Sequence, residues 1–181
     1  MNTKEFATIA SAIKAAYPNV NIMPDKQSKE VWYTMLCDLD YHVCLNALKE
    51  HISTCKFAPS ISELRARCTS VTSSPILPWG DAWENVLRAV RFYGMYREEE
   101  ALDSLDPVTR KCLKRIGFQN ICLSQNIQND RANFRMIYEQ EANQKTEIAQ
   151  LPENVRENRV RLQALYEDAL AKLPDGNGVS I

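Results

Sequence analysis

A short, capped, one-sided apolar stripe recurs four times within the first 71 residues, and each copy is too short to be stable alone. The first opens at Thr3 as N-cap and carries Phe6, Ile9, Ala10, Ile13, Ala16 and Tyr17 at the three- and four-residue steps of one helical face. Pro18 stops it. Residues Pro18 to Pro24 have no helical period, but Val20, Ile22 and Met23 are placed to fold back as a cover. Asp25 or Ser28 caps the second helix, with Val31, Trp32, Met35, Leu36 and Leu39 inward and Trp32 expected between helices. Asp40 caps the third, which carries Cys44, Leu45, Leu48 and Ile52. Pro59 breaks the chain again, and Ser60 with Glu63 makes a capping box for a fourth helix that buries Ile61, Leu64 and Cys68. Four such helices on short connections bury their stripes against one another, which predicts a four-helix bundle.

The order of these pieces carries a resemblance. Phe6-x-x-Ile9, Ala16-Tyr17-Pro18, Trp32-Tyr33-x-x-Leu36-x-Asp38-Leu39, Ala47-Leu48 and Lys56-Phe57-x-Pro59-Ser60-Ile61-x-Glu63-Leu64 follow in that order. The run resembles the N-terminal domain of phage replicative-helicase loader and inhibitor proteins, from phages that infect Gram-positive bacteria. The resemblance implies a folded N-terminal domain joined to a C-terminal part that engages the helicase and orders on binding. It also implies the partners: a hexameric replicative helicase, held inactive, and an origin-bound initiator protein to which the helicase is delivered.

Beyond the first block, Thr69 to Pro78 (TSVTSSPILP) has a linker's composition. The expected organisation is a helical domain over 1–71, a linker over 72–78 and a second helical block over 79–140. Residues 141–181 are then a polar segment, an amphipathic helix and a disordered tail. In the second block Trp83, Val86, Leu87 and Val90 form a stripe that Gly94 stops. A short acidic helix follows over 97–105. Asp106-Pro107 starts a helix bearing Val108, Cys112, Leu113 and Ile116, and Gly117 ends it. Ser124 is placed to cap a longer helix with Ile127, Phe134, Ile137 and Tyr138 on one side. The W-G-x-A-W start and the G-M-Y turn resemble segments of replication proteins from phages of Gram-positive hosts.

Two features of this block invite a nucleic-acid reading. Trp79 and Trp83 share a face with Arg88 and Arg91 further along, the ingredients of base stacking. Burial of the indoles is the larger energy, so core packing is expected. Arg110, Lys111, Lys114 and Arg115 form the densest basic cluster and are a possible contact for DNA or an acidic partner. Their place in the last turns of a helix, where cations offset the macrodipole, explains them equally well.

Charge argues against strong DNA binding. Basic and acidic residues number 22 and 23, and the regional balance is 8 to 7 over 1–71, 9 to 9 over 72–140 and 5 to 7 over 141–181. A protein that grips phosphates non-specifically needs a surplus of Lys and Arg. No apolar run approaches the roughly 20 residues that span a bilayer, and MNTKEF has no signal-peptide character, so a cytoplasmic protein of the bacterial host cell is expected.

No chemistry-bearing constellation is visible. The six cysteines contain no C-x-x-C and are expected as reduced, buried thiols. His42, Cys44, His51 and Cys55 are the nearest approach to a ligand set, but His42 and Cys44 diverge on a helix, so no metal is expected. There is no GxxxxGK[ST] loop and no Ser/His/Asp or Cys/His set. The expectation is a protein that is not an enzyme and needs no cofactor.

The fold class expected is all-α: an N-terminal four-helix bundle, a helical middle block and an extended or partner-dependent C-terminal helix. On that last helix Val155, Leu162, Tyr166, Ala169 and Leu173 fall at the spacing of a helix-in-groove ligand. They are the expected helicase-binding residues of a loading adaptor. A DNA-binding replication initiator or accessory protein is the alternative function, and a small helical regulatory protein of a phage is the third.

Overall fold

The computed structural model describes residues 1–172. Among them are ten helices and no strand: α1 Thr3–Ala16, α2 Lys26–Leu36, α3 Tyr41–Thr54, α4 Ile61–Thr72, α5 Trp79–Tyr93, α6 Glu98–Asp103, α7 Pro107–Ile116, α8 Phe118–Cys122, α9 Ile127–Gln150 and α10 Glu153–Ala171. The fold is all-α. Leu173 and the Pro174–Gly178 tail lie outside the described residues. Contacts divide the chain into two units, Met1–Thr72 with Gln150–Ile181, and Ser73–Ala149.

In the first unit α3 packs on α1 and α4, and α4 packs on α2. Phe6, Ile9, Ile13, Met23, Leu36, Cys44, Leu48, Leu64 and Cys68 form the buried core. Local chemistry sets the helix starts. Asp25 accepts from the Ser28 amide at 2.7 Å, Asp40 from the His42 and Val43 amides at 2.8 and 3.1 Å, and Ser60 exchanges hydrogen bonds with Glu63. The first cap is Asn2 rather than Thr3: its side chain accepts from Lys4 and Glu5, and Glu5 accepts from the Asn2 amide.

Several expected core positions are less buried than their spacing suggested, with Met35, Leu39, Leu45 and Ile61 only partly buried. Trp32, expected to be buried, is half-buried and packed against the core. Val31 is 53% exposed. It lies five residues before Leu36, about 140° round the helix at 3.6 residues per turn, and so faces outward. Ile52 sits at the core's edge near the end of α3 and is 38% exposed. In the covering loop Met23 is buried and Ile22 partly so, while Val20 is exposed. Met23 takes a left-handed backbone (φ 53°), held by its buried side chain and by Lys14 Nζ donating to its carbonyl at 2.9 Å.

The second unit is built round Trp83, Val86, Leu113, Phe118, Phe134 and Tyr138. The rings of Trp83 and Phe134 lie 5.2 Å apart, and those of Phe134 and Tyr138 5.4 Å. Tyr138 donates to the Leu77 carbonyl at 2.9 Å, fastening the segment before α5. Burial pushes its phenol up to about 12, so it keeps the proton it donates. Asp106 caps α7 with Pro107 in the first turn, and Gly94 and Gly117 stop their helices with positive φ. At the start of α9 it is Asn126, not Ser124, that accepts from the Asn129 amide. Helix α9 runs on through the polar segment to Gln150 because Glu141 turns inward, 8% exposed, to meet Lys111 at 2.6 Å and Arg115 at 3.6 Å on α7.

Candidate functional site: an exposed helix fastened at its start

Helix α10 is anchored at one end and bare along its length. The anchor is built from Arg65, which is 3% exposed within the buried stripe of α4. Its guanidinium meets Asp38 through both terminal nitrogens, at 2.6 and 2.8 Å. Nη1 also donates to the Met35 carbonyl at 2.6 Å, and Nε to the Gln150 carbonyl at 2.5 Å. The Glu153 amide at the start of α10 then donates to Asp38 Oδ2 at 3.1 Å. Pro152, between them, is buried. One ion pair thus holds both sides of the Leu151-Pro152 break against the bundle. Burial tends to raise the Asp38 carboxyl pKa, but the hydrogen bond and charge of Arg65, with the Glu153 amide, outweigh it and hold it below the ordinary carboxylate value.

From Arg156 to Leu170 every side chain of α10 is exposed. Leu162 and Tyr166 are each 66% exposed, with Val160, Leu165 and Leu170 beside them. Leu165 and Tyr166 lie three and four residues after Leu162 and so share its face of the helix. Of the five residues expected to bind helicase, Val155 is half-buried near the anchor, Leu162, Tyr166 and Ala169 are exposed, and Leu173 lies outside the described residues.

The basic cluster of α7 is largely engaged within its own unit. Arg110 donates to the Leu102 and Asp103 carbonyls at 2.8 and 3.1 Å, and Lys111 and Arg115 hold Glu141. Lys114 is exposed beside Glu98, Glu99 and Asp103. The tryptophans separate. Trp83 is core, whereas Trp79 is half-buried with the guanidiniums of Arg131 and Arg135 over its ring at 5.2 and 5.0 Å, in place of Arg88 and Arg91.

His51 is buried with Nε2 3.0 Å from the Phe57 carbonyl, and His42 is exposed. Cys44 and Cys68 are both buried in the first unit's core, and the Cys68 thiol together with burial pushes the Cys44 thiol up. Among the described residues no three His, Cys, Asp or Glu side chains gather as a metal site, and no helix is long and apolar enough to cross a membrane.

Asp38, Leu39, Pro59, Ser60 and Glu63, the residues that carry the resemblance in sequence, therefore sit in one folded unit that ends its core at Arg65 and Cys68. Residues 1–65 match the family of the N-terminal domain of the phage gene 39 helicase loader. No curated protein and no solved structure matches the chain. The loader-domain match takes in α1 to α3 and the first turn of α4, and includes both Asp38 and Arg65. Helix α10, which this loader-type region anchors, lies outside it.

Proposed function

We propose that the protein is a non-enzymatic adaptor. It binds and inhibits a hexameric replicative DNA helicase in the bacterial cytoplasm and loads it at a phage origin through an initiator protein. The observation that carries this reading is the match of residues 1–65 to the N-terminal domain of a family of phage helicase loaders.

The geometry supports a division of labour. The bundle is the platform, and α10 is the grip, with Val155, Leu162, Tyr166 and Ala169, followed by Leu173, offered to a groove on the helicase. Fastening the first turn of α10 at Asp38 and Arg65 removes part of the ordering cost that a free helix would pay on binding. Direct DNA contact is weak or absent in this reading, because Arg110, Lys111 and Arg115 are already engaged by carbonyls and carboxylates.

Affinity capture with the full-length chain, against host and phage replicative helicases separately, tests it. The expected result is a stoichiometric complex with one of them at physiological salt. Tight binding of duplex DNA with no helicase captured would replace the adaptor by a DNA-binding initiator.

A further inference from the structure

The exposed stripe of α10 keeps the seven-residue repeat of a helix that pairs with another helix. Val155, Leu162 and Ala169 fall at one position of the repeat, and Asn158, Leu165 and Lys172 three residues further on. Leu162 and Leu165 form the middle of this seam, 66% and 57% exposed. One edge of the seam carries Arg161 and Asp168, each just before a seam residue. The other edge carries Arg159 and Tyr166, each just after one. A two-signed edge of this kind sets both the partner and its direction.

A second α10 laid antiparallel, with its Leu165 against Leu162 and its Leu162 against Leu165, satisfies every edge position. Arg161 of each helix then meets Asp168 of the other, which makes two ion pairs. On the opposite edge Arg159 of each helix lies beside the Tyr166 ring of the other, a cation–π arrangement. No like charges face each other on either edge. Asp168 also meets Lys172 of its own helix at 2.5 Å, and a carboxylate has room for both donors. A parallel pairing sets Lys172 against Lys172 in the seam. It also brings both bundles to the same end, because the first turn of each α10 is fastened to its own Asp38. Antiparallel pairing keeps the bundles at opposite ends of a 19-residue helix about 28 Å long. That same fastening leaves less of the helix to be ordered on pairing.

We infer that two copies of this chain pair through antiparallel α10 helices, with Leu162 of each against Leu165 of the other and Arg161 of each against Asp168 of the other. The same patch is used on both chains, so the pairing closes as a two-fold dimer. It does not rest on the helicase reading, and a helicase that takes Leu162 and Tyr166 competes with it.

Sedimentation equilibrium of the full chain, with no helicase present, tests the pairing. A reversible monomer–dimer equilibrium is expected. Arg161→Asp, and separately Asp168→Arg, each weaken it by about tenfold, because two attractive edge contacts become like-charged ones. Mixing the two variants restores dimer, since opposite charges then face at both edge contacts. The chain carrying both exchanges, Arg161→Asp with Asp168→Arg, dimerises like the parent for the same reason. Both positions are exposed, so circular dichroism of each variant should match the parent. A chain that stays monomeric at high micromolar concentration overturns the proposal. So does a dimer indifferent to the single reversals, or a failure of the mixed variants and of the double exchange to restore association.

Discussion

The Arg65 guanidinium faces the Asp38 carboxylate through two parallel contacts of 2.6 and 2.8 Å, with both side chains largely out of water. Asp38 is also the acceptor for the first turn of α10, so the pair links the bundle core to the helix offered for binding. Removing one partner of a buried pair leaves the other charge stranded and typically costs about 3–5 kcal/mol. Arg65→Met should therefore lower the denaturation midpoint of the first unit by a large fraction of its stability. Urea unfolding followed by circular dichroism reads this directly, and Asp38→Asn should be comparably harmful.

The same pair makes stability depend on acidity. The folded Asp38 pKa lies below its unfolded value, so its contribution is fully present above the ordinary carboxylate value. It is lost as pH falls through the lowered folded value. Unfolding free energies of the parent and of Asp38→Asn should differ at neutral pH and converge at strongly acidic pH. A constant difference across that range would contradict the assignment.

Burial predicts an order of core sensitivity. Leu48 is fully buried, and Leu48→Ala should cost about 2–5 kcal/mol. Half-buried Trp32 should cost less when cut to alanine than a fully enclosed indole would. Parallel thermal melts of the two variants check the order.

Gly117 joins α7 to α8 with φ +91°, and a Cβ there would come within 2.6 Å of Asn120 Nδ2. That amide donates to the Ile116 carbonyl at 2.7 Å, so it cannot yield without losing a hydrogen bond. Gly117→Ala should destabilise the second unit by more than about 1 kcal/mol, from strain and the lost bond together. Urea unfolding of the full chain, read at its tryptophans, measures this.

What the sequence made legible was local. Asp25, Asp40, Ser60 with Glu63, and Asp106 with Pro107 act within three residues of themselves, so their roles show in spacing alone. Gly94 and Gly117 announce themselves the same way. Arg65 and Asp38 did not, because their meaning comes from contacts between residues 27, 85 and 115 positions apart. The one available signal was an arginine inside the stripe of Ile61, Leu64 and Cys68. Glu141 was hidden likewise in a polar run, where periodicity cannot foresee that Lys111 and Arg115 draw it inward. For α10 the apolar spacing was readable, but the fastening of its first turn was not.

The most direct test of the adaptor account is calorimetric titration of the replicative helicase with the parent and with Leu162→Asp/Tyr166→Asp. Both positions are exposed, so the double variant should melt like the parent. If α10 is the grip, a charge in the desolvated groove should weaken binding by at least about a hundredfold. Full affinity in the double variant would contradict the account and move the helicase contact to another surface of the protein.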